Sequence, residues 1–325
     1  VATTPAVASA QERPGDAQPW VLYQSSLRND EFGAEGIFLI RSDGSGDHEI
    51  ATDVPGEHIH PAWSHDGRQI VFAAGDDGHE LVLVNANGSG SHQISHCSAP
   101  CDSDDDPALS PSDHLIAYLE ATGPWTQVGD GFFPTRDDLR VAAIGKNGLA
   151  GAKTLYIADP LVYLDEPRWS PDGSHLVFWQ ERSDASGHLA DTAVFTIRSD
   201  GRDLRQLTPW SHDAGEADWS PDGRSIVFVT HPLLSFNFDA VVSNLYTIRP
   251  DGTGLRALTH FTTPDVRATQ ARWTPDGAIV FTLVDSNGRS LATVDKDGRQ
   301  LTVVPQGNRW IRTHGDVQPV TPCGA

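Results

Sequence analysis

Five polar residues hold one station in this chain of 325 residues. His60, Asp106, Glu166, Glu216 and Gln270 each stand three positions before Trp63, Leu109, Trp169, Trp219 and Trp273. A histidine, three carboxylates and an amide at one level admit three kinds of chemistry. The first is a solvated polar rim. The second is a cation site: Asp104, Asp106, Glu166 and Glu216 with an amide oxygen suit Ca2+, whereas His58 and His60 would admit another divalent metal. The third is a ligand or catalytic site in which His60 works with Glu166, Glu216 or Asp106 as base and acid. Carboxylates about 5–10 Å apart could serve glycoside cleavage. His58, Asp104, Asp105, Asp165 and Asp316 add to the same level. The run Asp102 to Asp106 alternates oxygens like a calcium loop but lacks the glycine and distal glutamate of an EF-hand.

The elements that would position these residues come from a repeat. Trp169-Ser170-Pro171-Asp172-Gly173 leads into Leu176-Val177-Phe178, and Trp219-Ser220-Pro221-Asp222-Gly223 into Ile226-Val227-Phe228. Trp63 and Trp273 head two more copies, and Leu109-Ser110-Pro111 a worn one. Each copy goes on to a strand ending in Asp-Gly or Asn-Gly, such as Phe195 to Gly201 or Leu245 to Gly252, and then to a last short strand. Those pairs supply the positive-φ positions of tight hairpin turns. Four antiparallel strands per copy make the blade of a β-propeller. The copies exceed the roughly 40–45 residues of a minimal blade, so each carries insertions. Five inner strands are explicit. Trp20-Val21-Leu22-Tyr23, Ile37 to Gly44 and His48-Glu49-Ile50 supply the rest of a sixth blade, and Val317 to Gly324 is expected to close it. On that placement Gln318 or Val317 takes the ring station. The expected fold is therefore all-β: a six-bladed propeller of residues 18–325, its ring closed by the C-terminal strand, behind a leader of residues 1–17.

This repeat resembles that of the TolB-like propellers, the PD40 or WD40-like repeat family. The resemblance runs from about residue 18 to the end. It implies six blades and, usually, an exported bacterial protein, periplasmic or secreted. It does not fix an activity, since such propellers include a protein-interaction component, domains attached to serine peptidases and polysaccharide-acting relatives. No Gly-x-Ser-x-Gly elbow is present, which counts against the peptidase case.

A residue that recurs in every blade serves packing or turns. Trp63, Trp169, Trp219 and Trp273 are therefore expected in the core, and Asp66, Asp172, Asp222 and Asp276 in hairpin turns. Function is sought where blades differ, at the ring and on the insertions. Trp125, Phe132, Phe133, Phe236 and Phe238 lie on the two longest insertions, and Trp210, Phe261 and Trp310 on connections that should open on the same face. Such aromatics could cradle sugars or cations, or could bury one another. Cys97 and Cys101 flank Ser-Ala-Pro and favour a small disulfide loop over zinc. Ala8-Ser9-Ala10 has the form of a signal-peptidase site. A net charge of −21 argues against a nucleic-acid partner. No run of about 18 apolar residues would span a membrane. The expectation is a monomeric exported module binding a protein, peptide or glycan. The alternative is a carbohydrate lyase or glycosidase, against which the acidic charge counts mildly if the substrate is anionic.

Overall fold

The computed structural model describes residues 19–26, 35–50, 53–75, 79–128, 131–230, 242–263, 266–286, 288–304 and 311–318. Six four-stranded antiparallel sheets form a β-propeller. Strands are lettered A to D from the channel outward. Blade 2 shows the pattern: Glu57–Trp63, Gln69–Gly75, Glu80–Asn85 and His92–Gln93. The A strands of blades 3 to 6 are Cys101–Leu109, Val162–Trp169, Ala214–Trp219 and Arg267–Trp273. Blade 3 also carries a small hairpin, Thr126–Val128 against Gly131–Phe133.

The repeat builds each blade by two devices. In the A–B turn the serine or threonine after the tryptophan position donates to the aspartate two residues on, as Ser64 does to Asp66 at 2.8 Å and Ser170 to Asp172 at 2.7 Å. Bonds from Ser170 and Ser174 hold the Asp172 carboxyl down at about 2. The second device is the B strand. Phe72, Phe178, Phe228 and Phe281 are fully buried between neighbouring sheets. Truncating one of these to alanine would cost about 3–5 kcal/mol. Trp63, Trp169 and Trp219 are buried, as expected of packing residues, and the Trp169 indole donates to the Ala108 carbonyl at 3.0 Å.

The C-terminal strand closes the ring, one turn earlier than the expected Val317–Gly324. Strand A of blade 1 is Ile311–Val317, paired with Trp20–Ser26. Val317 faces Val21 as Trp63 faces Ile70, so valine fills the tryptophan station. The ring station therefore falls on position 314, not on Gln318 or Val317. The expected Val317–Gly324 lies too far along because this blade has no tryptophan to mark its register. A second likeness supports the placement. Asp316, just before the station, accepts the Trp63 N–H at 2.8 Å, as Asp218 accepts that of Trp273 at 2.8 Å. Each aspartate ties its blade to the next. Residues 1–18 lie outside the described residues.

Candidate functional site

All five ring residues are bulged. Each A strand loses register with its B strand at the ring station, between Ile59 and Ala62, Asp105 and Ala108, Asp165 and Arg168, Gly215 and Asp218, and Thr269 and Arg272. His60, Asp106, Glu166, Glu216 and Gln270 take φ of 49°, 47°, 45°, 52° and 58°. Left-handed backbone costs a non-glycine residue about 1–2 kcal/mol. Five such costs in register mark one device, since bulges re-aim side chains. Blade 5 also needs Gly215, where a Cβ would come within 2.8 Å of the Trp179 ring.

The bulge of blade 3 brings two consecutive carboxylates to one histidine. His60 Nδ1 lies 2.6 Å from Asp105 Oδ1 and 3.4 Å from Asp106 Oδ1. His79 Nδ1 meets the other Asp105 oxygen at 2.9 Å, and the His60 N–H donates to Gln24 Oε1 at 2.7 Å. Burial alone would lower the His60 pKa, but the Asp105 and Asp106 charges outweigh it and raise the ring to about 10. The same pairing holds Asp105 well down despite its burial. His60 is thus a cation at neutral pH and not a free base. His60, Asp105 and Asp106 also form a group of potential metal ligands within 4.8 Å of one another. A metal there would have to displace the imidazole proton.

Other carboxylates gather beside this trio. Burial raises Asp106, Asp137 and Glu181 to about 7 each, and Asp165 well above the usual range. Neighbouring charges add to it: Glu216 acts on Glu181, and Glu181, Asp106, Glu166 and Asp137 on Asp165. Glu216 accepts the Gln270 N–H, and Asp137 the Leu164 N–H at 2.9 Å. Arginines tie the channel across blades. Arg272 of blade 6 lies 3.1 Å from Glu166 of blade 4, both side chains about 1% exposed. Arg168 lies 3.5 Å from Asp316.

Two ring candidates lie apart from this group. His58 Nε2 bonds the Val54 carbonyl at 2.9 Å, and its ring packs on Phe72. Asp104 faces away from Asp106 and groups with Cys101 and Glu120. Burial raises its pKa to about 7. Cys97 and Cys101 are disulfide-bonded. Among the aromatics, Trp125 is 42% exposed, bonds Asp102 and lies 6.4 Å from the Tyr163 ring. Trp210 is capped by the Arg182 guanidinium at 4.5 Å. The Phe132 side chain, Phe236, Phe238 and Trp310 lie outside the described residues. Sequence reasoning missed Gln24, His79, Asp137, Tyr163, Arg168, Glu181 and Arg272. Arg168 and Arg272 had a signal: the station before the tryptophan reads Ala, Arg, Asp, Arg from blade to blade, as variable as the ring itself.

No family model matches the chain. An uncharacterized peptidase YuxL of Bacillus subtilis (strain 168) is 36% identical over 62 residues, 19% of this chain and 9% of that protein, so the chain matches less than a tenth of that relative's length. TolB from Acinetobacter baumannii superposes with a TM-score of 0.69 at 16% identity, over 94% of this chain and 68% of that one. An oligogalacturonate lyase in complex with manganese superposes with a TM-score of 0.59 at 15% identity, over 90% and 82%. The chain thus has a TolB-like propeller fold, and likeness at this identity concerns the fold alone. No helix among the described residues is long and apolar enough to cross a membrane.

Proposed function

We propose that this protein is an exported binding module holding a protein, peptide or glycan ligand over the acidic channel mouth. The carrying observation is the convergence of Asp106, Asp137, Asp165, Glu166, Glu181 and Glu216, whose charges act on one another, while Arg272 is engaged by Glu166 and His60 by Asp105. Such a mouth favours a ligand that brings positive charge, or one bound together with a divalent cation such as Ca2+. Export fits the Cys97–Cys101 disulfide, because such bonds persist in oxidising compartments. A monomer is the simplest assembly for a ring that closes on itself. The test immobilises the full chain and measures binding of basic, neutral and acidic peptides and glycans, with and without Ca2+ or Mn2+. Asp106→Asn and Glu216→Gln should weaken the basic ligands. Equal binding of acidic and basic ligands would sink the reading.

The runner-up is a lyase. It rests on the His60–Asp105–Asp106 group together with the fold shared with a manganese-bound oligogalacturonate lyase. The protonated state of His60 counts against it as a general base. Incubation with oligogalacturonate and Mn2+ decides: release of an unsaturated product would install this reading in place of the first.

A further inference from the structure

One sector of the mouth differs in kind from the rest. On blade 4, Tyr163 pairs across the strands with Glu181, and Glu181 with Thr192, so the three side chains share one face. Asp165, two residues along from Tyr163, lies on that face too. Asp137 of blade 3 acts electrostatically on both Tyr163 and Asp165. Neither Asp165 nor Glu181 has an ion pair among the described residues, and both are half-buried. The Thr192 hydroxyl, fully buried on this face, has no hydrogen-bond partner among the described residues. Beside the acids stands an aromatic wall: Phe133 stacks on Tyr163 at 4.9 Å, and the exposed Trp125 ring lies 6.4 Å from that of Tyr163.

We infer that this sector is a site for an alkylammonium group, carried on a lysine side chain or a free alkylamine. Asp165 and Glu181 take the charge, the Thr192 oxygen accepts an N–H, and Tyr163 and Trp125 cover the methylenes. The inference rests on the reading of the mouth as a cation-seeking surface and narrows it to an organic ligand. A bare metal suits this sector poorly. Among the described residues, groups of three ligand atoms within 4.8 Å occur at His60–Asp105–Asp106 and Cys101–Asp104–Glu120, not at Asp165 and Glu181. The aromatic faces supply no metal ligand, whereas they attract ammonium ions and shed water from a carbon chain. Anions are excluded by the carboxylates. Arginine would also carry the charge, but its cationic fork calls for a paired acceptor on one carboxylate, and these two carboxylates are on separate strands.

Calorimetric titration of the full chain tests this with four probes: n-butylammonium chloride, acetyl-Gly-Lys-Gly-amide, CaCl2 and MnCl2. The expected result is saturable binding of at least one amine probe. Stronger binding of butylammonium points to a free amine, stronger binding of the peptide to a protein lysine. Glu181→Gln and Tyr163→Leu should each weaken the amine about tenfold, whereas Tyr163→Phe should leave it within about twofold because the ring remains. Asp165→Asn replaces either variant that fails to melt cooperatively. The proposal is overturned if no amine saturates, or if amine binding is unchanged in Glu181→Gln and Tyr163→Leu. Metal binding without amine binding removes this site but leaves the cation-seeking mouth. Silence from all four probes removes both.

Discussion

Arg272 Nη2 of blade 6 lies 3.1 Å from Glu166 Oε2 of blade 4, with both side chains shut away from solvent. Glu166 is one of the five ring residues that the sequence offers for chemistry, and the fold engages its charge with an arginine two blades away. Breaking such a pair strands the survivor. Arg272→Met should lower unfolding free energy by about 3–5 kcal/mol, and Arg272→Met with Glu166→Leu by clearly less. Urea denaturation of the two variants measures the difference.

Stability should fall as pH rises from mild acid. Asp106, Asp137 and Glu181 titrate near 7 in the fold, against roughly 4 in the unfolded chain. Between those values the native state holds more protons, so raising the pH favours unfolding. His60 extends the trend: its raised pKa of about 10 stabilises the fold fully below its unfolded value near 6.5, and that gain is lost as pH climbs through the window. The thermal midpoint should drop by several degrees between about pH 5 and pH 9. Asp137→Asn keeps an acceptor for the Leu164 N–H and removes one charge, so its profile should be flatter. A midpoint that rises over this range would overturn the account.

The bulges make a backbone prediction. Gln270 sits at φ 58°, where glycine is at ease and a β-branched residue is not. Gln270→Gly should change stability by no more than about 1 kcal/mol, while Gln270→Val should cost more than about 2 kcal/mol. Paired denaturation curves settle the comparison.

Asp316 is the fourth test. It receives the Trp63 N–H at 2.8 Å and faces Arg168 at 3.5 Å. Asp316→Ala should cost about 2–3 kcal/mol, the loss of a charge-assisted bond with its donor left buried. Asp218→Ala should behave alike at Trp273, and hydrogen exchange at the Trp63 and Trp273 amides reports each junction separately.

Much of this was legible because a repeat marks its own register. Trp63, Trp169, Trp219 and Trp273 gave the A strands, and Asp172 and its equivalents the turns. The closing strand was misplaced because Val317 occupies the station that tryptophan marks elsewhere. Ring residues could be read as a column, but not their partners. Glu181 and Asp137 lie on B and C strands: strand pairing within blade 4 brings Glu181 to Asp165, and the packing of blade 3 on blade 4 brings Asp137 there. Asp104 and Asp106 would share one face of a regular strand, yet the bulge at Asp106 sends them to different surroundings. Nothing in the residue pattern announces a left-handed bulge when the residue that adopts it is glutamate.

The closure of blade 1 sets an order of events for a growing chain. Strand Trp20–Ser26 precedes five further blades in the chain and receives its inner neighbour, Ile311–Val317, only after them; the Asp316–Trp63 bond spans 253 positions. Until then one flank of that strand is bare, and blade 2 lacks the acceptor for its Trp63 amide. Native closure of the ring must wait until Ile311–Val317 has been made, and loop closure over such a span makes that docking slow. A chain that must cross a membrane before folding gains from that delay, and one cut short before Ile311 is left with an open edge ready to pair with a stranger.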